Sequence, residues 1–164
     1  AGQLRWGVKN GEPVSWSVEG ATIKCWKCGE RTTPVTGISV DVSATSTHLS
    51  VYDFEEDLEL LQEILPINIR RENRIGEIKP RFSKTDGGSY ISNGCFVCGA
   101  LQGRFFEYKY WNEAIVRHSG RTTVDDRWRR LLEPQLSAHW RLLGVKPARF
   151  VGDADGFIRD DEKD

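Results

Sequence analysis

The chain has 164 residues, 38% hydrophobic and 29% charged, with a formal net charge of −1 and a pI near 6.4. That size allows one domain, or one with appendages, around a modest core. The balanced charge excludes a protein that coats nucleic acid, and no stretch approaches the roughly 20 apolar residues that a membrane-spanning helix needs.

In chain order, Ala21–Cys25 and Pro34–Val42 are short, β-branched-rich runs that predict strands. Ser43–His48 is small and polar and reads as a loop. Phe54, Leu58, Leu61, Ile64 and Leu65 recur at helical spacing behind Asp53 as N-cap, and Pro66 should end that helix. Ile67 to Phe82 alternates irregularly and predicts at most one strand. Ser83–Ser89 is a turn, and Gln102–Tyr110 reads as an aromatic strand. Thr122 and Thr123 before Asp125 and Asp126 predict a capped helix start. Trp128, Leu131, Leu132, Leu136, Trp140 and Leu143 form its apolar stripe, Pro134 should kink or split it, and Gly144 should stop it. The last dozen residues read as a weakly ordered acidic tail. Six Trp are expected to supply much of the core.

Four cysteines stand as two matching pairs, Cys25-Trp26-Lys27-Cys28-Gly29 and Cys95-Phe96-Val97-Cys98-Gly99. Two residues between thiols let a tight turn aim both sulfurs at one point, and the following Gly permits a positive φ. Four soft thiolates suit one closed, tetrahedral, structural Zn²⁺ held by Cys25, Cys28, Cys95 and Cys98. Sixty-six residues separate Cys28 from Cys95, so the metal would close a long loop with a helix inserted between two knuckles. Disulfides are the rival reading, but Ala1–Gly7 shows no charged segment leading into an apolar run, the mark of a secretory leader. A redox CxxC needs a helix N-terminus, which Gly29-Glu30-Arg31-Thr32-Thr33-Pro34 does not offer. The expected setting is the cytoplasm, where thiols stay reduced.

The twin CxxCG knuckles resemble the zinc-ribbon or treble-clef class of zinc finger. The longer string Ser83-x-Thr85-x-Gly87-x-x-Tyr90-x-x-Asn93-x-Cys95-x-x-Cys98-Gly99-Ala100-x-Gln102-Gly103 is similar to uncharacterised bacterial and phage-type proteins carrying both elements. The resemblance spans about residues 20 to 110. It implies a zinc-bearing core and no catalytic residue, and a host-interaction, regulatory or neutralising role would suit it.

Other chemistry has weaker support. An HNH-type nuclease needs a His base with further His and Asn around a catalytic metal. His48 lacks an acidic partner before it, Asn93 lies just ahead of Cys95, His118 reads as a solvated position, and His139 reads as a helix-boundary residue. Asp153, Asp155, Gly156, Ile158 and Glu162 fit calcium-loop positions, but Val151 stands where a carboxylate is required. Charge is segregated along the chain. Six acids and no base lie from Asp53 to Glu63, and six bases, Arg70, Arg71, Arg74, Lys79, Arg81 and Lys84, lie from 70 to 84 against Glu72 and Glu77. That basic strip offers a phosphate-binding surface, with Tyr90, Phe96 or Tyr108 for base stacking, or is a solvated face beside the acidic helix. Trp26 and Phe96 are expected to pack over the metal, with anchoring of a partner as the alternative.

The expectation is an α+β chain. A single zinc-stabilised domain would cover 1–150, with knuckles at 25–29 and 95–99, a helical insertion about 53–66 and helices about 122–143; an acidic tail would cover 151–164. The function expected first is a non-catalytic recognition module for a protein partner. Nucleic-acid binding through the 70–84 strip comes second and the nuclease third, with no membrane role.

Overall fold

Alternation of buried Val14, Val18 and Gly20 with more exposed neighbours makes Pro13–Gly20 a strand, β1, with one face inward. The structure, a computed structural model, describes residues 8–43, 45–103, 116–142, 148–150 and 157–159. The side chains of 116–117, 136–142, 148–150 and 157–159 lie outside the description. The elements after β1 are β2 (Ile23–Lys24), β3 (Arg31–Thr32), β4 (Val35–Val42), β5 (Thr45–Leu49), a 3-10 turn (Val51–Phe54), α1 (Leu58–Ile64) and α2 (Ile67–Glu72). They continue with β6 (Lys79–Ser83), β7 (Gly88–Gly94), β8 (Leu101–Gln102), β9 (Val116–Thr123), α3 (Asp126–Leu142), β10 (Ala148–Phe150) and β11 (Phe157–Arg159). One sheet has the order β5-β4-β1-β9 and another β6-β7-β8, while β2–β3 and β10–β11 are two-stranded. The β2–β3, β6–β7, β7–β8 and β10–β11 pairs are antiparallel. The content is therefore mixed, mostly antiparallel sheet with three α-helices among the described residues.

The chain divides into two compact units. The first comprises Ala1–Ser15, Asp41–Thr47 and Arg121–Asp164. It buries Val8, Val14, Val42, Val124, Trp128, Leu131 and Leu132. Its helix α3 starts at Asp126 and not near 122, because Thr122 and Thr123 still belong to β9. Asp125 caps α3 instead, its Oδ1 accepting the Trp128 N–H at 3.0 Å. Burial alone would raise the Asp125 carboxyl, but the Trp128 N–H and the Arg127 guanidinium hold it below the usual range. Pro134 does not split α3: it is exposed, so the Arg130 carbonyl that loses its N–H partner can turn to solvent. The tail expected to be weakly ordered contributes β11, paired with β10 in the register Ala148↔Arg159, Arg149↔Ile158 and Phe150↔Phe157. Leu143 and Gly144 lie outside the described residues, as does the side chain of His139.

The second unit comprises Trp16–Val40 and His48–Gly120. It buries Val18, Val35, Ile38, Leu49, Phe54, Leu60, Leu61, Ile64, Ile75 and Ile91. In the first unit, up to its boundary at Thr47, the expected loop at 43–48 is mostly strand β5; Ser43 turns the chain at φ +54, and β-branched Thr45 and Thr47 suit the strand that follows. The expected helix about 53–66 is interrupted at Asp57. Asp53 and Asp57 stand at i and i+4, where like charges disfavour a continuous helix. Asp53 is also not the N-cap: its Oδ2 accepts the Ser50 N–H at 2.8 Å, making Ser50 the cap of the 3-10 turn. Pro66 ends α1 as expected and opens α2, because the N–H that it lacks needs no partner there.

Behind α2 the chain crosses the start of the second cysteine loop. A Cβ on Gly76 would run into the carbonyl of Gly94 and the backbone of Cys95. Gly76→Ala is therefore expected to lower stability by about 2 kcal/mol or more in chemical denaturation, since two backbones must separate. An unchanged midpoint would show that this crossing is loose.

Candidate metal centre

Each cysteine pair sits in the turn of a short antiparallel hairpin, Cys25–Gly29 between β2 and β3 and Cys95–Gly99 between β7 and β8. The two turns repeat one another bond for bond. Cys25 N–H donates to the Glu30 carbonyl at 2.8 Å, and Cys95 N–H to the Ala100 carbonyl at 2.8 Å. Gly29 and Gly99 N–H groups close back on the Cys25 and Cys95 carbonyls at 3.0 Å, each glycine at φ +76. That left-handed φ is strained for any residue with a Cβ, so glycine follows the second Cys in both pairs. The N–H groups of Lys27 and Val97 point at the Cys25 and Cys95 sulfurs at 3.4 Å.

The four sulfurs lie within 4.8 Å of one another. Cys25 Sγ is 3.7 Å from Cys98 Sγ, and Cys28 Sγ is 3.7 Å from Cys95 Sγ. Ligands at about 2.3 Å from a tetrahedral centre stand about 3.8 Å apart, so this spacing fits a metal–thiolate set. All four cysteines are free, and a disulfide would need about 2.05 Å. Cys25 and Cys95 are buried while Cys28 and Cys98 are exposed. Burial alone would raise the Cys25 thiol, but the N–H groups of Cys28 and Lys27, the Cys95 thiol and the Gln102 amide hold it down to about 6. The N–H of Glu30 favours the Cys28 thiolate, yet desolvation and the Cys95, Cys98 and Cys25 sulfurs push that thiol up to about 12. A cluster in which one thiolate opposes the next is what a divalent cation relieves. Gln102, not anticipated as part of the site, is buried on β8 and donates through Nε2 to Cys25 Sγ at 3.4 Å and to the Ala100 carbonyl at 3.0 Å. Its place in Cys98-Gly-Ala-x-Gln102, one strand beyond the knuckle, was the available signal.

The loops are bound to each other as well as to any ion. Phe96 N–H donates to Thr32 Oγ1 at 2.9 Å, and Trp26 Nε1–H to the Leu101 carbonyl at 2.7 Å. Trp26 does not pack over the sulfurs: it is 66% exposed, while Phe96 is half-buried under the Arg74 guanidinium, 5.1 Å from its ring centroid. Among the described tryptophan side chains, only Trp128 is fully buried, so the core relies more on Val, Ile and Leu than expected.

The basic strip is not a row of equivalent surface charges. Arg74 Nε–H donates to the Arg31 carbonyl at 3.0 Å, and the Arg74 carbonyl accepts Thr33 N–H at 2.8 Å. Arg81 donates to the carbonyls of Gly99 (3.1 Å), Ser92 (2.8 Å) and Glu77 (2.8 Å). Burial pushes the Arg81 guanidinium below its ordinary value, with Glu77 opposing. Both groups brace the cysteine loops. Lys79 pairs with Glu77 at 3.6 Å, Arg70 and Arg71 stand in the last turn of α2, and Lys84 is exposed in the β6–β7 turn. Arg74 is also the αL residue that ends α2, with Ile75 N–H bonded to the Arg70 carbonyl at 2.8 Å. Arg74→Gly would relieve about 1 kcal/mol of backbone strain but remove the charged hydrogen bond and the ring contact. The net expectation in urea denaturation is a loss of about 1 kcal/mol, and a gain would show that the brace contributes nothing.

The nuclease candidates are dispersed. His48 lies against Gly37 between neighbouring strands. His118, expected to be solvated, is half-buried beside Trp16 (5.2 Å between ring centroids), its Nε2 at 3.1 Å from the Ile64 carbonyl. They sit on β5 and β9, opposite edges of one sheet, separated by about 14 Å of strand spacing. Asn93 is buried and joined to the backbone of Val35 at both ends of its amide. Of the stacking candidates, Tyr90 pairs with Tyr52 at 5.8 Å, and Tyr108 lies outside the described residues. Asp153, Asp155, Gly156 and Glu162 of the calcium-like stretch also lie outside them. Among the described residues, no helix is long and apolar enough to cross a membrane. Compared with models of protein families, with curated proteins and with solved structures, the chain matches none.

Proposed function

We propose that this protein is a non-catalytic recognition module built on a zinc-ribbon-like clasp, in which Cys25, Cys28, Cys95 and Cys98 hold one structural Zn²⁺. The observation that carries the reading is the pair of matched hairpins bringing four sulfurs together. Four thiolates complete the shell that zinc prefers and leave no open position for substrate. The ion would stabilise the fold and present the surfaces around it. Reduced thiols are needed for this, which favours a cytoplasmic setting. Zinc is tested by elemental analysis of protein purified under reducing conditions. One zinc per chain is expected, and metal-free folded protein would refute the clasp.

The partner we infer first is a protein, met by the acidic segment. Glu55, Glu56 and Glu59 are exposed and make no ion pair among the described residues. Unpaired like charges on the surface beside α1 favour a basic partner surface through steering and register. Affinity capture from nuclease-treated lysate should recover a partner that Glu55→Lys, Glu56→Lys and Glu59→Lys together release. A partner retained by that variant would place the contact elsewhere. Nucleic-acid binding through the 70–84 strip has less support, because Arg74 and Arg81 are committed to carbonyls. The nuclease reading has the least, and absence of cleavage across a range of divalent metals is the expected result.

A further inference from the structure

We propose that the tip of the first knuckle binds single-stranded nucleic acid, with Trp26 stacking on a base and Lys24, Lys27 and Arg31 holding the neighbouring phosphates. Its residues are not those of the acidic segment or of the 70–84 strip, although the Arg31 carbonyl accepts the Arg74 Nε–H.

The two hairpins provide an internal comparison. Their backbones follow the same hydrogen-bond pattern, so what the turn itself requires is common to both. Aligned on their cysteines, Lys24 corresponds to Gly94, Trp26 to Phe96, Lys27 to Val97 and Arg31 to Leu101. The second hairpin makes the same turn without a single cation, so the three on the first are not needed for the knuckle. They are also poorly placed for stability. Lys24 and Arg31 are directly opposed across β2 and β3, on one face, where like charges repel. Lys24, Lys27 and Arg31 are exposed and have no ion pair among the described residues; Glu30, the one acid of the hairpin, is exposed too. An unfavourable cation pair beside a third cation is relieved by an anion from outside.

Trp26 indicates which anion. Its indole is 66% exposed, yet its N–H is fixed to the Leu101 carbonyl at 2.7 Å. A ring already oriented loses little freedom when a planar ligand stacks on it. An aromatic anchor for a protein is normally set in a water-excluding apolar surround. Along this hairpin Trp26 stands between Cys25 and Lys27, with Lys24 two residues before it, a combination of π-face and cations that single strands use. The sequence marks Trp26 only as a knuckle aromatic; the opposition of Lys24 and Arg31 beside it emerges from the register.

The test uses the full metal-loaded chain and a fluorescein-labelled oligothymidylate of about 20 nucleotides, followed by anisotropy between about 50 and 200 mM salt. Binding is expected to weaken steeply with salt. Trp26→Ala should reduce affinity about 5- to 100-fold, and Trp26→Phe should retain most of it. Replacing Lys24, Lys27 and Arg31 together by Ala should lower the slope of log affinity against log salt by about 2. Arg70→Ala, Arg71→Ala and Lys84→Ala together should change neither quantity. Each variant must keep wild-type metal content, and if Trp26→Ala does not, the three-cation variant decides. No binding at the lowest salt, equal affinity for a duplex, or binding that survives loss of the three cations would overturn the proposal. So would displacement of the oligonucleotide by polyglutamate at equal charge, which would assign the site to an acidic protein segment.

Discussion

Cys95→Ser is expected to remove the metal and the cooperative unfolding of the unit that carries it. Structural zinc sites contribute on the order of 10–16 kcal/mol, while whole domains are stable by about 5–15 kcal/mol, so little margin survives without the ion. Cys98→Ser should be milder, because Cys98 is exposed and water can replace its sulfur, whereas Cys95 is buried and accepts the Val97 N–H at 3.4 Å. Thermal denaturation with elemental analysis separates the two outcomes; a Cys95→Ser protein with wild-type Tm would sink the clasp. The same site sets a pH dependence. Thiols of the unfolded chain titrate near 8.5, while metal-bound sulfurs stay deprotonated far lower, so the folded metal-bound state holds fewer protons. Stability from the metal is therefore fully present above about pH 8.5 and is lost as pH falls. Even Cys25, held down to about 6 without metal, is protonated below that value. Metal-dependent Tm should decline from pH 8 towards pH 5, and a flat profile would mean that the sulfurs bind nothing.

Asn93→Ala is the second large effect. Its Oδ1 accepts the Val35 N–H at 2.9 Å, and its Nδ2 donates to the Val35 carbonyl at 3.0 Å, both buried. One side chain thus acts as a strand partner for the start of β4. Alanine would leave a buried donor and a buried acceptor unmatched, each worth about 1–3 kcal/mol, for a total of about 2–6 kcal/mol. Asn93→Asp keeps the acceptor but sets a carboxylate oxygen against a carbonyl, so it should not rescue. Urea denaturation reads both. A loss for Asn93→Ala under about 1 kcal/mol would show that water replaces the amide.

Local features were the most legible in the sequence. CxxCG needs only a two-residue spacing and one left-handed glycine, and both knuckles lie where those residues predict. The period of Leu61 and Ile64 located α1, and Pro66 its end. What escaped depends on partners distant along the chain. Arg74 and Arg81 look like surface cations until the Arg31 and Gly99 carbonyls are brought to them by the loops that they brace. Polar Thr45–Leu49 has β-branched Thr45 and Thr47 to suit a strand, but what makes it one is β4 beside it, a neighbour that its own polar run does not announce. Asn93 carries no periodic signal at all; its meaning lies in Val35, 58 residues away.

The spacing of the two hairpins also has a temporal side. Cys95 follows Cys25 by 70 residues, so at a synthesis rate of about 5–20 residues per second the first hairpin leaves the ribosome about 4–14 s before its counterpart. Through that interval Cys25 and Cys28 are a two-sulfur hook, able to hold an ion only in part. Joining them to Cys95 and Cys98 then closes a long loop, at an entropic cost near 4 kcal/mol, which the completed sulfur tetrad must outweigh. If the tetrad takes an ion as proposed, the clasp would be a late step in the life of the nascent chain, and metal supply at that moment would decide whether the newly made protein locks.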